Sequence, residues 1–359
     1  MTRPLVFALP ILFAFSSPAF AQIKQVQGAH SLPSTARTVA TVSEGILIPE
    51  PAANTLAVQA GAPTLNAFGP RRRGSMVGYI DDPIVSSKVR VRFETATHNR
   101  APDRAELFYG KCGCYRDLNP DHPAYDPDAS GPGPGAADDV NFQQFYALAE
   151  YAASGRFSAF AELPVRWLQP QTVGVFEDQS GISDLRAGAK FGLATSDTMS
   201  LTAQVKMFLN TGDSRQGLGT GHASIEPGVL YHSNLSDRAA IAAQFSLWLP
   251  FGGSNGVPTS VDENFAGNVL SYGIGPSYEI FSSERVQFAP VVELVGWHVL
   301  GGFQTAAVSD ASGTNIVNMK FGGRVNWTNG GSIYAGYGLA LTDSAWYEDI
   351  FRFEYRLSF

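Results

Sequence analysis

Ionisable residues in this 359-residue chain recur at even spacings: Arg90 and Arg92, Glu162 and Arg166, Arg186 and Lys190, Lys320 and Arg324, then Arg352, Glu354 and Arg356. Lys206, Glu226, Glu279 and Glu293 stand singly in stretches of the same character. Apolar residues fill the positions between them. In a strand, alternate side chains point to opposite faces, so even spacing gathers the charges on one face and the apolar groups on the other. A confined row of such charges can pair into salt bridges that fill an interior, with Arg186, Lys190, Lys320 and Arg324 expected close to Glu226, Glu279 or Glu293, or line a thin path for a solute. Arg and Lys modestly outnumber Glu in this row, which favours anions if the path conducts.

Other chemistry finds little support. Cys112 and Cys114 form a lone Cys-Gly-Cys, too close for a relaxed internal disulfide and too few for a zinc site, with His122 the one imidazole nearby. A structural or oxidised loop feature is the plainer reading. Gly217-Leu-Gly-Thr-Gly221 resembles a phosphate loop only superficially, because it feeds a strand and not a helix. Asp262-Glu263-Asn264 is far short of a Ca²⁺ ligand set. Hydrolysis would need a Ser and a His on an outer rim. By parity only His298 reaches such a rim, His232 faces the other way, and there is no Gly-x-Ser-x-Gly elbow. No cofactor, metal or catalytic residue is expected.

The elements that position these charges are strands. From Lys88 onward the chain repeats about ten alternating residues and a break. Val89, Val91 and Phe93 open the apolar series; Phe145, Leu163 and Trp167, Phe191, Val205, Val229, Phe245, Ile274, Val292, Phe321 and Tyr337 continue it. Phe351, Phe353, Tyr355, Leu357 and Phe359 close it, for twelve strands in all. The breaks alternate in length. Those near 153–155, 195–198, 234–237, 282–284 and 328–330 are short, whereas 98–140, 169–181, 210–222, 252–266 and 300–313 are longer; 342–344 is a short exception. Short turns on one side and long loops on the other mark an outer-membrane barrel, with both termini in the periplasm. A basic residue on a lipid face costs about 2–4 kcal/mol at mid-bilayer, so the charged face, with Glu94, Glu150, Arg156, Arg238 and Glu348 included, is expected to turn inward.

Composition and ends agree. Arg3, the apolar run from Leu5 to Phe15 and Ala19-Phe20-Ala21 read as a signal peptide over residues 1–21, and no later run is long enough for a membrane helix. Charged residues are only 16% of the chain, low for a soluble enzyme, and the net charge of -7 argues against nucleic acid. Residues 22–87 lack periodicity and a plug-like pattern, so a flexible periplasmic arm is expected there, with Arg71-Arg72-Arg73 solvated.

Two stretches carry a family resemblance: Gly181-Ile-Ser-Asp-Leu-Arg-Ala-Gly-Ala-Lys-Phe-Gly-Leu193, and the run from Thr211-Gly-Asp-Ser-Arg to Gly228-Val-Leu-Tyr231. They resemble the outer-membrane channels associated with the meta-cleavage pathway of phenol degradation. That resemblance implies a passive barrel admitting hydrophobic or aromatic compounds. The terminal aromatic stripe ending on Phe359 resembles the signal by which bacterial barrels are recognised for insertion. The expectation is an all-β, antiparallel up-and-down transmembrane barrel of about twelve strands over 88–359, with a disordered arm before it. Its partners would be the lipid bilayer with lipopolysaccharide, the barrel-assembly machinery and a small solute. Passive diffusion is the leading function; a closed structural or adhesive barrel and an outer-membrane lipid-modifying enzyme are the alternatives. Twelve strands lie between a lumen filled by side chains and an aqueous channel, so the pore would be narrow.

Overall fold

The computed structural model describes residues 75–101, 112–122, 125–132, 139–171, 177–253, 265–304 and 309–359. The expected leader, the arm up to residue 74, the Arg triplet and Asp262-Glu263-Asn264 lie outside them. Twelve antiparallel strands form one closed barrel: β1 (Lys88–Asn99), β2 (Val140–Ser154), β3 (Phe157–Pro170), β4 (Arg186–Thr195), β5 (Met199–Phe208) and β6 (Ala223–Asn234), then β7 (Ala239–Phe251), β8 (Val269–Tyr278), β9 (Val286–Val299), β10 (Asn315–Trp327), β11 (Gly331–Ala340) and β12 (Asp349–Ser358). A short piece, Gln179–Ile182, precedes β4 and pairs with the same neighbour, β3. β1 pairs with β12 from Lys88↔Ser358 to Thr97↔Asp349, which closes the sheet and leaves no open edge.

Strand parity decides the two faces. Val89, Phe93, Phe191, Phe245, Phe321, Phe351 and Phe353 are exposed on the outer face, while their chain neighbours are buried or half-buried inside. A one-residue slip would reverse this for a whole strand, so the apolar belt fixes the register.

The short turns share a local device. Ser154, Ser196, Ser236 and Ser283 each accept two backbone N–H bonds through Oγ, from the residues two and three positions on, at 3.0–3.4 Å. A serine hydroxyl so placed bends the chain back on itself and satisfies donors the ladder cannot reach. In the fifth short turn Gly330 takes a φ of +85°, open to glycine at little cost.

At the opposite end the loops are tied together. Asp184 accepts from the backbone N–H groups of Thr211 (3.2 Å), Gly212 (2.9 Å) and Thr220 (2.7 Å), and from the Thr220 hydroxyl (2.9 Å). The two stretches that carry the family resemblance therefore pack against each other. Within Gly217–Gly221, Thr220 gives its donors to the Asp184 carboxylate, and the Gly217 and Leu218 N–H groups donate to the Ser214 and Asp213 carbonyls. Cys112 and Cys114 are disulfide-bonded in the first long loop, whose Tyr115 packs edge-on against Phe265.

Candidate solute path

The chief departure from the sequence reading lies inside the barrel. Residues 75–87, expected as part of a flexible arm, enter the lumen from the short-turn end, rise to about mid-height and return to start β1. Met76, Val77 and Ile80 are buried, and the wall holds the backbone of this hairpin at almost every step. Glu293 accepts from the N–H groups of Gly78 (3.1 Å), Tyr79 (2.9 Å) and Ile80 (2.9 Å). Arg324 donates to the carbonyls of Met76 (3.1 Å) and Val77 (2.8 Å), and Arg352 to that of Gly78. Gln244 accepts from Asp81 N–H at 2.9 Å, and Thr202 donates to the Pro83 carbonyl at 2.7 Å. Gly78 is required here: a Cβ would lie 2.2 Å from the Tyr334 ring. Ser87 closes the loop, with Phe359 N–H donating to its carbonyl at 3.0 Å.

The hairpin also brings charge. Asp82 pairs with Lys88 (2.6 Å) and Arg356 (3.0 Å), and Asp81 with Lys206 (2.8 Å). Two carboxylates thus enter a lumen whose wall is richer in Arg and Lys than in Glu. Around them Arg324 and Arg356 converge on Glu354 (2.8 and 2.9 Å), Arg90 and Arg186 on Glu162 (2.8 and 3.2 Å), and Lys190 on Glu150 (3.0 Å). Buried charges in a confined interior interact strongly and must be paired to be tolerated.

All fifteen ionisable residues named from spacing are buried or half-buried, on the face opposite the apolar belt. Their partners differ from a simple expectation that Arg186, Lys190, Lys320 and Arg324 meet Glu226, Glu279 or Glu293. Arg186 stands opposite Glu162 in the β3–β4 register and pairs with it. Glu293 stands opposite Lys320 but turns to the hairpin, so Lys320 donates to Tyr347 (2.6 Å) and lies over the Tyr79 and Tyr347 rings. Glu226 holds Lys206 (3.1 Å) and Ser246 (2.5 Å). Arg156, Arg238 and Glu348 are exposed rather than inward, because they fall in turns and loops where strand parity no longer applies. Of the insertion stripe, Phe351, Phe353, Tyr355 and Phe359 are exposed and Leu357 half-buried. His298 reaches the outward rim, where its Nδ1 lies 2.6 Å from Asn315 Oδ1.

Above the hairpin the lumen changes character. A cavity of about 240 Å³ is walled by Phe142, Tyr146, Phe208, Trp248, Trp297, Trp346 and Tyr347 together with Arg92, Arg166, Arg186, Lys206 and Arg352. Sequence reasoning missed these rings, although Phe142, Tyr146, Phe208, Trp248 and Trp297 share parity with the inward polar residues of their strands. It also missed Tyr79, Asp81 and Asp82, whose signal was an aromatic and two acids standing just before the first strand. A second chamber, about 40 Å³, lies among Lys88, Arg90, Glu150, Glu162 and Lys190. Asp81, Arg92, Arg186 and Lys206 line both.

No family model matches the chain, and no curated protein does. Among solved structures it is similar to an outer membrane channel from Pseudomonas putida F1, at 13% identity and a TM-score of 0.47 over 77% of this chain and 96% of that one. It is also similar to the NanC porin (9% identity, TM-score 0.42, 76% and 99% covered) and to LpxR from Salmonella typhimurium (8%, 0.40, 76% and 100%).

Proposed function

We propose that this chain is a passive outer-membrane channel for small solutes, narrowed by its own N-terminal hairpin. The observation that carries the reading is the shared wall of the two chambers. Asp81, Arg92, Arg186 and Lys206 bound both, so the chambers share a wall of paired side chains, Asp81 with Lys206 and Arg186 with Glu162. In this reading the long loops face outward, the short turns and the start of β1 face the periplasm, and the exposed belt meets lipid and lipopolysaccharide. The terminal stripe from Phe351 to Phe359 is then read by the barrel-assembly machinery. Solutes of hydrophobic or aromatic character fit the ring-lined upper chamber, in keeping with the family resemblance of residues 181–193 and 211–231. Movement down the path needs no energy coupling, only transient parting of the Asp81–Lys206 pair.

Reconstitution of the refolded chain in a planar bilayer tests this. Small, discrete conductance steps are expected. A silent bilayer from correctly refolded protein would favour the closed structural barrel, for which the hydrogen-bonded hairpin is the specific argument.

A further inference from the structure

We infer that the upper chamber is a binding site for a small aromatic carboxylate, a ligand class defined by both its ring and its charge. The inference rests on the channel reading and sharpens it. Five basic side chains line this chamber against three acidic ones, Asp81, Glu94 and Glu226. Each of those acids is already engaged: Asp81 and Glu226 by Lys206, Glu94 by Arg92 and Arg352. With Glu162 counted, which holds Arg186 and Arg92 from the adjoining chamber, the bases still outnumber the acids by five to four.

The unmatched polar atoms point the same way. Arg186 Nε, Arg352 Nε and Trp346 Nε1 are buried donors without an acceptor among the described residues. A buried donor without an acceptor is costly, and an incoming carboxylate offers acceptor lone pairs on two oxygens. Arg186 is the least buried of the guanidinium groups that pair with Glu162, and it lies 5.1 Å from the ring centres of both Tyr146 and Phe208. A carboxylate bound there would sit beside aromatic faces.

Those faces set the second requirement. Trp297 and Trp346 pack at 4.5 Å with an interplanar angle of 54°, leaving ring surface toward the chamber they line. A cavity of roughly 150 Å³ suffices for benzene, so about 240 Å³ takes a single substituted ring. Offset or edge-on ring contacts add to burial of the ligand's apolar body. A neutral phenol would leave the three donors unmet, and acetate would leave the rings unfilled.

Isothermal titration of the whole refolded chain in detergent micelles, with benzoate as probe, tests the inference without requiring conduction. Saturable binding of benzoate is expected, with phenol, benzylamine and acetate each at least about tenfold weaker, the span of one charge-assisted hydrogen bond or one buried ring. Arg186→Gln should weaken benzoate about tenfold, and Trp346→Phe, which keeps a ring but removes the N–H, several-fold. Heat-modifiable migration on gels checks that each variant is folded. Equal binding of phenol and benzoate, or of acetate and benzoate, overturns the inference, as does no binding of benzoate at all. Conduction without benzoate binding would sink this site and spare the channel; binding in a protein silent in bilayers would do the reverse.

Discussion

The two halves of the lumen solve different problems with one wall pattern. Below mid-height nearly every inward charge has a fixed partner, and the hairpin of residues 75–87 supplies the acceptors and carboxylates the wall lacks. Above it the same parity delivers rings, with guanidinium and indole donors left over. The lower half behaves like a packed, polar core that happens to be built of ions. The upper half is a vestibule, roomier and lined by rings. The contrast teaches that a narrow barrel need not choose between plug and path along its whole length.

The contrast can be broken most forcefully at Arg324. Its guanidinium is completely buried, pairs with an equally buried Glu354, and holds two hairpin carbonyls. Arg324→Ala should destabilise the refolded barrel by about 3–5 kcal/mol, because it takes one of two close partners from buried Glu354 and the donor from the buried Met76 and Val77 carbonyls. Arg186→Ala, whose side chain is less buried and whose partner Glu162 keeps Arg90 at 2.8 Å, should cost less, about 1–2 kcal/mol. Urea unfolding in micelles reads both, and equal losses would erase the distinction between the halves.

A smaller effect is expected at the boundary. Lys206 stands between Asp81 and Glu226, and Lys206→Glu would gather three acids where the chambers meet. The reversal potential in a salt gradient should move from weak anion preference toward cations. The shift should fade near 1 M salt, where the Debye length falls to about 3 Å. An unchanged reversal potential would place the path elsewhere.

The smallest effect concerns pH. His222, in the loop before β6, packs edge-on against Trp248 at 5.5 Å, and its Nδ1 donates to the Thr220 carbonyl at 3.1 Å. Burial lowers its affinity for a proton, and Nε2 has no hydrogen-bond partner among the described residues. A histidine depressed in the folded state contributes stability above its ordinary value near 6.5 and loses it as the pH falls below that value. Acidification through this range should loosen the Trp248 contact, read as a change in tryptophan emission that His222→Gln abolishes.

Much of the barrel was legible because strand parity is a physical constraint on every residue. Arg90, Glu162, Lys190 and Glu354 had no tolerable place but the interior once Val89, Leu163, Phe191 and Phe353 were given to the belt. Parity says nothing about turns, which is why Arg156, Arg238 and Glu348 were misplaced. It also cannot show which carboxylate a guanidinium meets across a closed sheet, so Glu293 was paired with cations and not with the hairpin. The hairpin itself is irregular. Gly78-Tyr-Ile-Asp-Asp-Pro83 has no period, and its order comes from acceptors and donors on β1, β4, β5, β7, β9, β10 and β12 and from the apolar cluster that Ile80 joins. Segments of that kind are hidden from pattern reading because their partners are remote in sequence.

The central claim is that a channel exists and that its own hairpin narrows it. Single-channel recording of the whole chain beside a form lacking Met76–Ile84 tests this most directly. The account predicts small steps from the whole chain and steps several-fold larger from the shortened one. Indistinguishable conductance from the two folded forms, or silence from both, would contradict it.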